Sequence, residues 1–168
     1  MNENQTPKIL EFTGDYEFLS NFYPAPFTYN GILYPTSEHA YQAQKTSSFA
    51  EQRIASNLKT PEDAKSWGKN VTIIPSWDAL KYDIMREVVY EKFVQNLVLA
   101  DKLVATGDAL LEEGNNWGDK TWGISPAGSG QGSNMLGLIL MSIRDEIKQE
   151  MNSAGEVHIS PTSSYTRD

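Results

Sequence analysis

The chain contains no cysteine, only two histidines and no long apolar segment, and each shortage excludes a class of function. Without cysteine it forms no disulfide, no thiolate nucleophile and no thiolate zinc site. His39 and His158 are too few for a histidine metal cluster, so we expect neither a metal nor a cofactor. The most apolar run, Met135 to Met141, is far shorter than the about 20 residues that a membrane span requires. We expect a buried helix there and no membrane partner.

Basic side chains are also scarce, with 14 Lys and Arg against 22 Asp and Glu and a formal net charge of −8. Such a surface repels a phosphate backbone, which disfavours extended nucleic-acid binding but leaves a single nucleotide possible. A chain of 168 residues with 39% hydrophobic content suits one domain with its own core. Residues 1–8 are polar and lack the apolar centre of a signal peptide, so we expect a cytoplasmic protein. Nothing in the sequence indicates an oligomeric state.

The most informative stretch runs from Tyr34 to Lys45 and predicts a helix that begins with a cap. Pro35 is followed by Thr36 and Ser37, whose hydroxyl groups can accept a hydrogen bond from the first turn. Glu38 would lie in that first turn, where the backbone dipoles favour a carboxylate. A short helix that starts at this point is therefore predicted.

One face of this helix carries three polar side chains. At about 100° per residue, Glu38, Gln42 and Lys45 fall within about 40° of one another. On the other side, Ala40 and Ala43 are small enough for a neighbouring element to pack closely, which would turn the polar stripe into a cleft. The alternative is a solvated face with an ordinary charge pair. Spacing alone leaves both interpretations open.

Two segments near the N-terminus have the composition of strands. Residues 9–12 and 27–33 are rich in apolar and aromatic side chains, and Asn30 with Gly31 supplies a turn within the second segment. We therefore expect a small hairpin or sheet.

Helix starts are predicted at Ser48, Thr60 and Ser76, of which the last opens the longest helix. A short strand is expected at Val71 to Ile74, and a final helix at about 134–151. Together these elements indicate a helix-rich α+β fold with a small β-sheet.

The segment between Thr106 and Asn134 is rich in glycine, tryptophan and polar residues, a composition that favours an ordered loop. Loops of this length inside one domain are usually functional. The domain is expected to span residues 9–150, with flexible termini at 1–8 and 152–168.

Gly130, Gly132 and Asn134 stand directly before the final helix. Glycines at such a position let backbone amides approach a phosphate, and the helix dipole adds partial positive charge. The alternative is a structural turn, which has the same composition.

Four tryptophans are many for this length, and Trp77 and Trp122 are candidates for stacking on a base. Core packing is the alternative for each. Asn21 lies in a polar and aromatic segment, where its amide either bonds a sugar or base edge or completes a turn. Asp119 is either a second carboxylate beside Glu38 or an ordinary surface residue.

Three motifs, in the expected order between about residues 12 and 147, resemble those of the NADAR superfamily of YbiA-like N-glycosidases. The leading motif is Tyr34 to His39 with the polar stripe that follows it. Leu19 to Phe22 is similar to the family's Ser-Asn-Phe element. The closing motif is carried by Gly130, Gly132, Asn134, Leu136, Gly137, Leu140, Met141 and Arg144.

This resemblance implies a single YbiA-like domain that hydrolyses the N-glycosidic bond between ribose and a nitrogenous base. The implied substrate is an ADP-ribosyl adduct, such as ADP-ribosylated guanine free or in nucleic acid, or a phosphoribosylamino-pyrimidine intermediate of riboflavin synthesis. The alternative is a module that binds ADP-ribose or a nucleotide without turning it over.

The resemblance also implies roles for individual residues. Glu38 would stabilise the oxocarbenium-like charge or act as a base, Lys45 would form a Schiff base with the ring-opened sugar, and Asp119 would be a further catalytic carboxylate. The implied substrate-binding residues are Asn21, Phe22, Gln42, Trp77, Trp122, Gly130, Gly132 and Asn134.

One segment departs from the family pattern. The family's Trp-Gly pair aligns best with Trp122 and Gly123, and Ile124 then stands where other members have aspartate. Residues 124–129 form apparent extra material, which indicates an altered substrate pocket. The role of Asp119, shortly before the pair, is correspondingly open.

Overall fold

Helices form most of the regular structure in residues 5–156, which the computed structural model describes. The helices are α1 (Ser37–Ala43), α2 (Phe49–Ser56), α3 (Pro61–Gly68), α4 (Trp77–Val94), α5 (Leu97–Ala105) and α6 (Met135–Glu156). The strands are β1 (Lys8–Ile9), β2 (Phe27–Tyr29), β3 (Ile32–Tyr34) and β4 (Leu110–Leu111), and a 3-10 helix covers Gly14–Leu19. The predicted helix-rich α+β fold is confirmed. Of the termini predicted to be flexible, residues 1–4 and 157–168 lie outside the described part.

The hairpin of β2 and β3 turns at Asn30 and Gly31, as predicted. Their φ angles of +48° and +80° both lie in the left-handed region, the arrangement that an Asn-Gly pair adopts in a tight hairpin. Phe27 pairs with Tyr34, and both side chains are buried. Because only two residues separate the end of β3 from Ser37, the first residue of α1, the hairpin fixes where that helix starts.

A second, parallel pair joins the beginning of the domain to its long loop. Ile9 of β1 lies opposite Leu111 of β4. The strand predicted over residues 9–12 is limited to its first residue, since Phe12 turns into the core. The strand predicted at residues 71–74 is wrong: the Ile74 amide donates to the carbonyl of Lys45 at 2.8 Å, in a segment without strand structure.

Three predicted helix caps are confirmed. The hydroxyl oxygens of Thr36, Ser48 and Thr60 each accept a hydrogen bond from the backbone amide three residues later, at 3.2, 3.3 and 3.1 Å. Ser76 precedes α4 as expected, but its side chain makes no capping hydrogen bond. The starts of α1, α2 and α3 are therefore fixed by local side chains.

Helices α4, α5 and α6 surround the main core. The prediction that α4 is the longest helix is wrong, because α6 has 22 residues against 18 and continues past Met151 to Glu156. Helix α5 was not predicted. Its first residues, Leu97 and Val98, are apolar but exposed, so the apolar residues of this segment do not mark only its buried face. Fully buried members of this core include Val88, Val89, Phe93, Leu103, Leu140 and Ile143. Within the described residues, none of the helices combines the length and apolar character needed to cross a membrane.

Candidate functional site

The polar stripe of α1 faces inward. Glu38 and Gln42 expose only 7% and 5% of their surface, although both are polar. The Gln42 side-chain nitrogen donates a hydrogen bond to Glu38 Oε1 at 2.8 Å, and the backbone amide of Glu38 donates to the carbonyl of Asn21 at 3.0 Å. Of the two interpretations that spacing left open, the structure therefore supports the one in which the stripe lines a cleft.

Lys45 continues the stripe at the end of α1. Its ammonium group donates to the carbonyl of Gly68 at 3.2 Å and lies 5.8 Å from the ring centroid of Trp77. Gly68 ends α3 directly against the stripe: a Cβ there would lie 1.8 Å from Gln42 Oε1. The absence of a side chain at position 68 therefore lets the Gln42 amide occupy its place beside Glu38.

The cleft has a volume of about 420 Å³ and is formed by the segment after the 3-10 helix, by α1, α3, α4 and by the long loop. Its lining includes Asn21, Phe22, Glu38, Tyr41, Gln42, Lys45, Lys65, Trp77, Lys81, Glu113, Trp117, Asp119 and Trp122. A second cavity, of about 720 Å³, lies between β1, the 3-10 helix and α5. None of the predicted site residues lines that cavity. We therefore assign the candidate site to the smaller cleft, which is lined by Glu38, Gln42 and Lys45.

Aromatic rings form one wall of the cleft. The ring centroid of Tyr41 lies 5.1 Å from that of Trp77 and 5.6 Å from that of Trp122. Trp77 is buried, so it packs in the core and lines the cleft at the same time. Trp117 also lines the cleft but is 69% exposed. Sequence analysis did not select Trp117, although an exposed ring at the cleft edge is well placed to cover a flat ligand.

Asn21 and Phe22 reach the cleft, as expected, but the amide of Asn21 already has partners. The Ser37 hydroxyl donates to Asn21 Oδ1 at 2.8 Å, and the Asn21 side-chain nitrogen approaches the sulfur of Met85 at 3.4 Å. Asn21 therefore ties the segment before the hairpin to the first turn of α1.

Asp119 lies in the cleft lining and shapes the loop around it. Its Oδ1 accepts hydrogen bonds from the backbone amides of Thr121 and Trp122, at 3.0 and 2.9 Å. Asn115 holds the same turn through hydrogen bonds to the backbone of Asp119, at 3.0 and 2.8 Å. One oxygen of Asp119 is thus engaged in orienting Trp122.

Glu113 is a cleft residue that sequence analysis missed. It follows β4 by two residues, and its Oε2 is buried without a hydrogen-bond partner among the described residues. A signal was present in the sequence: alternation along an extended segment places Glu113 on the same side as the buried Leu111. Burial, reinforced by the negative charge of Asp119, raises the pKa of Glu113 to about 7.

Burial also shifts the two charged groups of the α1 stripe. It raises the pKa of Glu38 above its ordinary value, while the hydrogen bond from Gln42 and the charges of Lys65 and Lys45 act in the opposite direction. Burial lowers the pKa of Lys45, and the charge of Glu38 opposes that shift. The cleft therefore holds a carboxyl and an amine that both titrate closer to neutrality than free side chains do.

The glycine-rich approach to α6 lies away from the cleft lining. A Cβ at Gly132 would lie 2.3 Å from the carbonyl oxygen of Gly123, so this glycine permits close backbone packing. Asn134 accepts from the amide of Glu113 at 3.0 Å and donates to the carbonyl of Leu111 at 2.8 Å. Gly130, Gly132 and Asn134 are not among the residues that line the cleft, and the side chain of Asn134 instead braces the loop that carries Glu113.

Within residues 5–156, no group of three His, Asp or Glu side chains is close enough to hold a metal ion. The cleft chemistry available from the described side chains consists of three carboxyl groups, three amines and a wall of aromatic rings.

Comparison with known proteins gives a consistent result. Residues 10–148 match the NADAR domain. An N-glycosidase of Nostoc punctiforme is 36% identical over 145 residues, covering 83% of this chain and 91% of the relative, and the N-glycosidase YbiA of Escherichia coli is 33% identical, covering 81% and 84%. A riboflavin biosynthesis protein of Vibrio vulnificus is 39% identical over 142 residues, but the chain spans only 36% of its length. The NMR structure of Escherichia coli YbiA superposes with a TM-score of 0.77 at 28% identity, covering 97% of this chain and 94% of YbiA.

Proposed function

The chain belongs to the NADAR domain family of YbiA-like N-glycosidases, and on that premise we propose that it hydrolyses the bond between ribose C1 and a nitrogen of a base in a phosphorylated ribosyl compound. The observation that carries this proposal is the buried carboxyl of Glu38 in an aromatic-lined cleft. Such a carboxylate stabilises a developing positive charge more strongly than a carboxylate in bulk water does.

The distribution of charge in the cleft supports a phosphorylated substrate. The protein carries a net charge of −8, yet the cleft is lined by as many amines as carboxyl groups: Lys45, Lys65 and Lys81 stand beside Glu38, Glu113 and Asp119. Three amines beside a negatively charged protein surface provide local attraction for phosphate groups. Trp117 and Trp122 provide rings on which a base can stack.

Glu38 takes the central role in the proposed reaction. As the bond between C1 and nitrogen breaks, its electron pair leaves on the base and positive charge develops on the sugar, where ionised Glu38 stabilises it. A water oxygen then bonds to C1, and the proton it loses passes to Glu38. Gln42 orients this carboxylate, since its amide donates to Glu38 Oε1.

Lys45 offers a second route to the same products. Its half-buried amine has a pKa lowered by burial, which increases the neutral fraction that can attack C1 of a substrate whose sugar ring has opened and whose C1 is doubly bonded to the base nitrogen. A Schiff base between C1 and Lys45 forms as the base leaves with the electron pair of its bond to C1 and takes the proton that the amine loses. Water then hydrolyses this Schiff base and frees Lys45. The resulting Schiff base would be trapped by borohydride as a stable adduct on Lys45. An adduct located at Lys45 by mass spectrometry supports this route, and substrate turnover without any trapped adduct supports direct displacement by water.

Two substrate classes fit the proposal, an ADP-ribosyl adduct such as ADP-ribosylated guanine and a phosphoribosylamino-pyrimidine. Both contain a ribose joined to a nitrogen and at least one phosphate. The Vibrio relative, named a riboflavin biosynthesis protein, favours the second class. None of residues 124–129, the apparent extra material, lines the cleft, so this segment favours neither class.

A base-release assay tests the proposal. The purified chain is incubated in parallel with ADP-ribosylated guanosine and with a phosphoribosylamino-pyrimidine, and the released base is measured by chromatography. We expect release from one class, a loss of about 100-fold or more in Glu38→Gln, and normal activity in Glu62→Gln, whose side chain is exposed on α3. Calorimetric binding without turnover by the unmodified protein would instead establish a nucleotide-binding module, and folded protein without release or binding would contradict both functions.

A further inference from the structure

A second carboxyl, that of the half-buried Glu113, faces the same cleft as Glu38 and differs from it in its partners. Glu38 Oε1 accepts a hydrogen bond from Gln42 at 2.8 Å, whereas Glu113 Oε2 is buried with no donor among the described residues. A donor stabilises the ionised form of a carboxyl group, and the lack of one favours the protonated form. The two carboxyl groups are therefore suited to opposite protonation states.

Glu113 is held in place by its backbone. Its amide donates to the side-chain oxygen of Asn134, and its carbonyl lies so close to Gly123 that a Cβ there would approach it to 2.0 Å. The terminal torsion of a glutamate is broad and roughly two-fold, so the backbone contacts do not dictate which oxygen faces the cleft. A carboxyl fixed at its base and lining the cleft can transfer a proton into it.

Lys92 of α4 is near enough for its charge to lower the pKa of Glu113, but its hydrogen bonds are made to other groups. Its side-chain nitrogen is fully buried and donates to the carbonyls of Phe18 and Ser20 at 2.7 and 2.8 Å. A neutral amine has two hydrogens, and these two carbonyls accept both. Burial lowers the pKa of Lys92 to about 7, so at neutral pH much of this amine carries no charge to hold Glu113 ionised.

The other charges around Glu113 reinforce the protonated state. Asp119 in the same loop and Glu38 on α1 both raise the pKa of Glu113, while Lys65 on α3 and Lys92 on α4 lower it. Glu113 therefore favours its protonated form near neutral pH. Glu38, in the same cleft, has a hydrogen-bond donor that stabilises its ionised form. Enzymes that cleave glycosidic bonds divide the work between two carboxyl groups in this way.

We propose that Glu113 is the general acid of the reaction, which donates its proton to the departing base while Glu38 stabilises the sugar. This inference rests on the proposed function. The electron pair of the bond between C1 and nitrogen leaves on the nitrogen, which takes the proton of Glu113. Water then supplies hydroxide to C1 and a proton to Glu38. Proton exchange through solvent returns both carboxyl groups to their starting states.

The dependence on the leaving group tests this role. In Glu113→Gln, we expect cleavage of a neutral-base substrate to fall by about 100-fold to 10,000-fold, because a neutral base departs poorly without a proton. A pyridinium N-riboside needs no proton, since its base leaves as a neutral molecule, and its cleavage should change by less than about threefold. Equal losses on both substrates, or a loss expressed only in KM, would overturn the acid role.

The pH profile provides a second readout on the neutral-base substrate alone. The unmodified protein should lose activity on the alkaline side as Glu113 ionises, and Glu113→Gln should lack that decline. Glu112→Gln, the neighbouring side chain outside the cleft lining, is the matched control and should behave as the unmodified protein does. If the alkaline decline persists in a folded Glu113→Gln variant, the inference is wrong while the proposed function stands. If the unmodified protein cleaves no N-riboside at all, the proposed function itself fails.

Discussion

The Gln42 amide donates a hydrogen bond to Glu38 Oε1 at 2.8 Å, and it does so from the next turn of a helix that is buried along its whole length. Helical spacing brings the two side chains together, and the packing of α1 against α2, α3 and α4 removes them from water. The local sequence supplies the pair, and the tertiary fold gives it an unusual protonation equilibrium.

Replacing Gln42 by leucine should move the acidic side of the activity profile to higher pH. The hydrogen bond from Gln42 lowers the pKa of Glu38, so its removal raises that pKa and leaves less carboxylate at a given pH. A hydrogen bond to a charged group contributes about 1.5 kcal/mol, so its loss should raise the pKa of Glu38 by about one unit. The measurement is kcat/KM from pH 4 to 8, about the range in which a raised glutamate titrates. An unchanged acidic limb would show that this bond does not control Glu38.

Substituting Gly68 by alanine should damage both stability and activity. The new Cβ would lie 1.8 Å from Gln42 Oε1, so the Gln42 side chain must leave its position beside Glu38. We expect a loss of about 1 to 3 kcal/mol in the free energy of unfolding, together with reduced kcat.

Denaturant unfolding and the base-release assay measure the two effects. Gly155→Ala is the control, because nothing lies within 4 Å of a Cβ at that position of α6. If Gly68→Ala behaves like this control, the close approach of α3 to the stripe is not important.

Asn134→Ala should destabilise the protein without weakening phosphate binding. The side chain of Asn134 bonds the amide of Glu113 and the carbonyl of Leu111, and buried groups left unpaired cost about 1 to 3 kcal/mol each. Thermal unfolding with and without inorganic phosphate measures both quantities. A weaker phosphate-induced shift in the variant would instead support the prediction, made from sequence, that this segment binds phosphate.

Glu113 should make stability depend on pH. Its pKa is raised in the folded protein to about 7, above its ordinary value, so the folded state favours the protonated form. The contribution of Glu113 is fully present below about pH 4.5, its unfolded pKa, and is lost as the pH rises to about 7.

The stability of Glu113→Gln relative to the unmodified protein should therefore increase from pH 4.5 to 7. Denaturant unfolding at several pH values measures this difference, and Glu112→Gln again serves as control. The opposite contribution from Lys92, whose folded pKa is lowered to about 7, acts between that pH and its ordinary value near 10.5, which is above the window of Glu113. A pH-independent difference would contradict the protonated state of Glu113.

Sequence alone could predict the features that depend on neighbouring residues. The cap at Thr36, the turn at Asn30 and Gly31 and the alignment of Glu38 with Gln42 all follow from local geometry, and the structure contains them. The stripe of α1 consists of polar side chains, so its burial cannot be predicted from an apolar pattern. Whether it lines a cleft or faces solvent is decided by the packing of α3 and α4.

Features that depend on distant partners cannot be predicted from local sequence. Lys92 appears in the sequence as an ordinary charged residue of α4, and only the carbonyls of Phe18 and Ser20 explain its burial. Gly132 and Asn134 have the composition of a phosphate loop, yet their contacts are with Gly123 and Glu113. The same residue types serve an anion or a neighbouring backbone, and local sequence does not distinguish the two.

The parallel pairing of Ile9 with Leu111 has a consequence for how the protein acquires its activity. The two partners are separated by most of the domain, and closing so long a loop carries an entropic cost before any stabilising contact is made. Glu113 lies only two residues after Leu111, so we expect its position in the cleft to depend on the pairing of β4 with β1. We therefore expect local helices to form early and the cleft to be completed late in folding.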